Sequence, residues 1–271
     1  MPRPIGEIPP ALCRRLSVVF TDIDDTLTTH GLLPEKSYAA LWALHDAGIR
    51  VVPVTGRPAG WCDHIARMWP VAGVIGENGA FYFVYHRDSR RMRREYAQTE
   101  EVRRRGREAL EKVRTEVLDE VPGAAVAADQ AYRIADLAVD FREDVPPLDE
   151  GSVDRICRIA RRNGAVCKVS SIHVNCWYGD YDKITCLREF LRRESGRSLD
   201  EMQEEVLFAG DSPNDEPAFR EFRHSIGVAN IRDFLHRLDH PPRYITGARG
   251  GEGFAEAVSI ILRLRGSDGK E

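Results

Sequence analysis

Five short apolar runs rich in β-branched residues, at 17–20, 49–54, 73–75, 206–209 and 225–228, each end in a loop rich in Asp, Gly or Thr. Between the first two lies a helical pattern. Pro34 suits a first helical position, Leu41 and Leu44 repeat at helical spacing, and Gly48 suits the helix end. Near the C-terminus Phe254, Ala257, Val258, Ile261 and Leu262 share one helical face. Apolar strands separated by amphipathic helices predict an α/β fold, a doubly wound parallel sheet covered on both sides. Such sheets bind ligands beyond the carboxyl ends of their strands.

The middle of the chain follows another pattern. Runs at 81–86 and 92–96 flank the turn-like 87–90 and predict a hairpin. A charged helix is expected over 99–119, a long strand over 132–141, a helix over 152–162, and strands at 165–169 and 172–177. This is an α+β arrangement. Residues 81–178 are therefore expected to form an inserted domain, with 1–80 and 179–271 building the parallel-sheet core.

Composition removes several function classes. Acidic residues number 43 against 39 basic ones, so no global positive field recruits nucleic acid or membrane. The arginine-rich stretch 86–107 is interleaved with Glu95, Glu100 and Glu101, as a solvated face would be. No apolar run approaches the roughly 20 residues that span a bilayer. The first 12 residues hold four prolines and no apolar signal core, so a cytoplasmic location is expected. The six cysteines include no C-x-x-C pair and read as free thiols, with a Cys167–Cys176 pairing left open. Oligomeric state is not legible.

Four patches carry chemistry. Asp22-Ile23-Asp24-Asp25-Thr26-Leu27 follows the first strand, Thr55-Gly56-Arg57 the second, and Gly210-Asp211-Ser212-Pro213-Asn214-Asp215 the run at 206–209. Lys183 begins a probable helix. Three patches at strand ends can converge on one crevice. There Asp22, Asp24, Asp211 and Asp215 would repel strongly unless a cation neutralised them. Oxygen-only ligands suit Mg²⁺, which commonly takes one or two carboxylates, substrate phosphate and water. Lys183, the Thr55 hydroxyl and the Gly56 N–H supply charge and donors for a transferring phosphoryl group. No serine or cysteine occupies a nucleophile motif, which leaves a carboxylate as the attacking group.

At these residues the sequence resembles the haloacid dehalogenase superfamily, in its phosphatase branch. The resemblance covers the whole core and, in general layout, the insert. It implies a phosphomonoester hydrolase with Asp22 as nucleophile, forming a phospho-aspartate, and Asp24 as general acid and then base. It further implies Mg²⁺ held by the Asp22 and Asp211 side chains and the Asp24 main-chain carbonyl, with Asp215 supporting its waters. Asn214 would lie near the phosphate, with Thr55, Gly56 and Lys183 gripping it and Arg57 beside them. The chain departs from the usual pattern at Asp25, often Gly, and at Ser212-Pro213, within a motif that commonly reads GDG-x-ND.

The position of the insert, after Thr55 and before Lys183, resembles a type II cap; its predicted strand and helix order resembles the IIB subtype, as does Glu77-Asn78-Gly79-Ala80, which adds Asn78 to the substrate-binding candidates. Sucrose-phosphate, trehalose-phosphate and mannosyl-3-phosphoglycerate phosphatases share that arrangement. Along 172–177 the side chains alternate, and His173, Asn175 and Trp177 are expected toward the crevice, with Ile172, Val174 and Cys176 toward the helices. A His, an Asn and an aromatic suit a small polyhydroxylated substrate, a sugar phosphate first. Asp140 and Arg142 are weaker candidates. A phosphomutase, or a binding protein of the same fold without turnover, would share the core motifs.

Overall fold

The computed structural model describes residues 1–266; residues 267–271, counted with the expected core, lie outside the described residues. The first strands are β1 (Arg3–Pro4), β2 (Val18–Thr21), β3 (Arg50–Pro53), β4 (Val74–Gly76), β5 (Phe81–His86) and β6 (Arg91–Tyr96). They are followed by β7 (Ala125–Val126), β8 (Leu137–Asp140), β9 (Val166–Val169) and β10 (His173–Trp177). The last are β11 (Val206–Gly210), β12 (Ser225–Gly227) and β13 (Tyr244–Ile245). The α-helices are α1 (Pro10–Arg15), α2 (Glu35–Asp46), α3 (Ala59–Met68) and α4 (Glu100–Glu120), then α5 (Glu150–Arg162), α6 (Lys183–Ser195), α7 (Glu216–Glu221) and α8 (Gly250–Gly266). None is long and apolar enough to cross a membrane.

The core is a six-stranded sheet ordered β1-β13-β12-β11-β2-β3, every pairing parallel. Its residues alternate between two apolar layers. Val19, Val51 and Leu207 pack with Leu41 and Leu44 of α2 and Phe254 and Ile261 of α8. Val18, Phe20, Val52 and Phe208 pack with Leu187 and Phe190 of α6 and Phe219 of α7. Burial on both faces explains why these strands read as unbroken apolar runs. Pro34 caps α2 from outside instead of opening it, and Gly48, at φ 74°, lets the chain turn into β3.

The hairpin changes the expected boundary at 81. Residue Ile75 of β4 forms a parallel bridge with Val54 beyond the end of β3, and β4 pairs antiparallel with β5, which pairs with β6. The hairpin thus prolongs the core sheet, because Phe81 and Phe83 drive into one core layer and Tyr82 and Val84 into the other.

Beyond the hairpin, β7-β8-β10-β9 forms a separate antiparallel sheet with α4 and α5 on one face. Leu110, Val113, Ile156, Ile159, Val174 and Cys176 belong to this third apolar cluster, so one face of β10 does meet the helices. Trp177 departs from expectation. Its ring stacks on Tyr181 at 5.7 Å and its Nε1 donates to the Tyr181 carbonyl, where the chain returns to the core. The strand expected over 132–141 begins only at Leu137, because the amides of Ile134, Ala135 and Asp136 donate to Glu77 instead of to a ladder. All six cysteines are buried free thiols, Cys167 and Cys176 standing opposite each other on β9 and β10.

Candidate active site

Asp22 stands at the carboxyl end of β2, its amide donating to the Ala209 carbonyl of β11 at 2.9 Å. The two neighbouring strands thereby place Asp22 beside Asp211, whose Oδ1 accepts from Thr26 Oγ1 at 3.2 Å. Asp215 completes the group through its Oδ2, which accepts from the amides of Asp211 and Ser212 at 3.0 and 3.3 Å. Gly210 permits this turn, since a Cβ there would lie 2.5 Å from Asp215 Oδ2.

Lys183 comes from the first turn of α6, which Asp182 caps by accepting from the Thr185 amide at 2.7 Å. Gly79, at φ 103°, lets that helix start approach closely, because a Cβ would lie 2.1 Å from the Asp182 carbonyl oxygen. Lys183 Nζ lies 2.8 Å from Asp22 Oδ1 and 3.7 Å from Asp215 Oδ1.

The electrostatics are those of an under-neutralised acidic site. Burial pushes the Asp22 carboxyl up to about 7, with Asp215 and Asp24 adding to the rise and Lys183 opposing it. Asp211 is also raised, first by burial and then by Asp215 and Asp22. Oxygen atoms of Asp22, Asp211 and Asp215 lie within 4.8 Å of one another. Asp215 Oδ1 is buried with no hydrogen-bond partner among the described residues. Three converging carboxylates with one orphaned oxygen fit a hard divalent cation.

Asp24 points elsewhere. Its carboxylate oxygens accept from Arg57 Nε at 3.1 Å, and Oδ1 from Nη2 at 2.8 Å. Its side chain therefore lies outside the triad, and Arg57 is committed to it. The Thr55 hydroxyl accepts from the Arg57 amide at 3.0 Å. Thr55 and Asn78 lie just behind the crevice wall, whereas Gly56, Arg57, His173, Asn175 and Asn214 line it. A Cβ on Gly56 would come within 3.3 Å of the Asn78 side chain and 3.4 Å of Asn175 Oδ1. Of the weaker candidates, Asp140 is buried and accepts from the amides of Arg142, Glu143 and Asp144, a turn-forming task.

Several residues of the site escaped the sequence reading. Arg133 crosses from the insert to donate to the Gly56 carbonyl at 2.9 Å, held by Asp129 and Asp136. Asn175 Nδ2 donates to Asp136 at 3.0 Å. Glu143 reaches Arg57 Nη1 at 3.0 Å and His173 Nε2 at 2.9 Å. Glu77 is wholly buried and accepts from the amides of Ala59, Ile134, Ala135 and Asp136. Only Glu77 carried a signal, since it stands in the stretch that resembles the IIB subtype.

Residues 19–117 match the family model for haloacid dehalogenase-like hydrolases. The match spans the core motifs at 22–27 and 55–57 and runs on into α4. The chain is also 25% identical to the phosphoglycolate phosphatase of Methanobrevibacter smithii, over 91% of its own length and 99% of the relative's. Among solved structures, it superposes on a protein of Thermoplasma acidophilum with a TM-score of 0.69 at 19% identity, covering 92% of this chain and 99% of the other. The sucrose-phosphatase of Synechocystis, crystallised with sucrose and phosphate, gives a TM-score of 0.63 at 15% identity, covering 92% and 98%. The two structural likenesses establish a shared fold across nearly the whole length.

Proposed function

We propose that this protein is a phosphatase that cleaves the phosphate monoester of a small hydroxylated molecule, a sugar phosphate, using Mg²⁺ and a phospho-aspartate on Asp22. The observation that carries this reading is the Asp22 carboxylate at a parallel strand end, 2.8 Å from Lys183 and within one acidic triad with Asp211 and Asp215. An Asp22 oxygen attacks phosphorus, the bond to the leaving oxygen breaks, and Asp24 gives that oxygen a proton. Asp24 then takes a proton from water, the water oxygen attacks phosphorus, and the bond to Asp22 breaks to release phosphate.

Mg²⁺ would be held by the Asp22 and Asp211 carboxylates and the Asp24 main-chain carbonyl, with Asp215 ordering its waters. When bound it would offset the negative charge of the triad and of the phosphoryl oxygens. Lys183 and the Gly56 amide would orient the phosphoryl group, with Asn214 beside it and Thr55 supporting the turn through the Arg57 amide. Asn78 would support Gly56 from behind. The residues from 99 to 178 would act as the cap, of the IIB kind.

Charge pairing bears on the leaving group. Arg57 is taken by Asp24 and Glu143, and Arg133 by Asp129 and Asp136. Ser170, Ser171 and Asn175 offer uncharged polar groups from the insert, and His173 stands next to Glu143. A hydroxylated, uncharged leaving group suits such a wall better than a carboxylate, which would need a free cation.

Purified protein with Mg²⁺ should release phosphate from sugar phosphates faster than from 2-phosphoglycolate. Asp22→Asn should lower turnover by more than about 10⁴-fold, as loss of a covalent nucleophile does. Full activity in that variant would eliminate Asp22 as nucleophile, and a preference for 2-phosphoglycolate would eliminate the uncharged leaving group.

A further inference from the structure

Glu143 touches both layers of the crevice at once. It sits in the turn after β8, fixed where its amide donates to Asp140 Oδ1 at 2.7 Å, so its backbone belongs to the insert. Its carboxylate meets the insert's own His173 at 2.9 Å and the core's Arg57 at 3.0 Å. Burial opposes, but His173 and then Arg57 hold the Glu143 carboxyl down to about 2. The guanidinium of Arg57 is divided between two acids. Its Nε and Nη2 face Asp24 and its Nη1 faces Glu143, while its plane lies 4.6 Å from the Trp61 ring centroid. Asp129 also lies 3.9 Å from Nη1, and without Glu143 a turn toward it would draw the fork away from Asp24.

Closure bears on the same contact. Between insert and core the crevice is narrow, with about 30 Å³ open to water-sized molecules, room for about two waters. A sugar phosphate needs more room than that, so its entry would require the insert to move, and such a movement would carry Glu143 away from Arg57.

We infer that Glu143 is a positioning residue that fixes Arg57, and through it the Asp24 carboxylate, only when the insert is closed over the core. This rests on Asp24 as proton donor in the reaction proposed above. Proton delivery to the leaving oxygen is thereby tied to closure, when bulk water has been excluded.

The test compares kcat/KM for a sugar phosphate, whose alkoxide needs a proton, with that for p-nitrophenyl phosphate, whose phenolate leaves without one. This parameter covers only steps up to loss of the leaving group. Glu143→Gln should lose roughly 10-fold or more on the sugar phosphate and less than about 3-fold on the aryl ester. Glu143→Ala, which removes both contacts, should show the larger bias. Equal losses on both substrates, or no loss, would overturn the inference, since damage to the fold alone would not discriminate between leaving groups. Asp24→Asn is run in parallel and should show the same bias. If Asp24→Asn is biased and the Glu143 variants are not, Glu143 has no such role while the proton donor stands. If Asp24→Asn lowers both substrates equally, the proton-donor reading falls and this inference with it.

Discussion

Lys183 Nζ lies 2.8 Å from Asp22 Oδ1 although 161 positions separate the two residues along the chain. The pair joins the first turn of α6 to the end of β2 and sets one cation among Asp22, Asp211 and Asp215. Asp22, Asp215 and Asp211 hold the Lys183 ammonium above its usual pKa although burial opposes. One cation against three carboxylates leaves repulsion that a divalent ion would relieve.

Asp211→Asn should raise the thermal midpoint of the metal-free protein by roughly 2–4 °C, about 1 kcal/mol for a chain of this size. The amide oxygen can still accept from Thr26. Mg²⁺ should stabilise the unaltered protein, and this variant should lose that stabilisation. Thermal melts with and without Mg²⁺ check both; a metal-free midpoint below that of the unaltered protein would count against repulsion in the triad.

The pH dependence follows from Asp22. Its folded-state pKa, about 7, lies above that of an unfolded Asp, about 3.9, so the folded protein binds that proton more tightly. Its contribution to metal-free stability is therefore greatest below about pH 4 and declines as pH rises toward 7. Mg²⁺ needs ionised carboxylates, so its stabilising effect should grow over the same interval. Urea unfolding at several pH values, taken as the difference between unaltered protein and Asp22→Asn, isolates this group. A difference constant with pH would refute it.

Glu77→Gln should destabilise by about 1–3 kcal/mol. Both carboxylate oxygens accept from backbone amides, Oε1 from Ala59 and Oε2 from Ala135. Whichever oxygen becomes an NH₂ group then faces a donor with a donor. Denaturant unfolding reads the loss, and limited proteolysis should show cleavage near 133–136, which Glu77 ties to the core. Unchanged stability would mean that these bonds are dispensable.

Legibility in the sequence tracked how local each feature is. Asp22, Asp211 and Thr55 were readable because a strand end and its loop adjoin in the chain, and a parallel sheet brings such ends together. The hairpin was misplaced because its charged second strand, 91–96, resembles the arginine-rich insert, whereas its membership is decided by the first strand, whose Phe81 and Phe83 enter the core. Glu77 escaped because its partners are main-chain amides, which no residue type announces. Glu143 escaped because its meaning depends on Arg57, 86 positions earlier, and on how the insert sits over the core. Trp177 fits the alternation of β10, but Tyr181 covers it where the strand ends.

The six buried thiols divide along the packing of the molecule. Cys13 and Cys62 are fully buried in one layer beside the parallel sheet, and Cys176 is fully buried in the cluster of the insert. A thiol reagent can reach Cys13 and Cys62, or Cys176, only when the surrounding cluster loosens. The chain therefore carries two internal clocks, and the rates at which the two sets are alkylated in native buffer record separately how often each body opens.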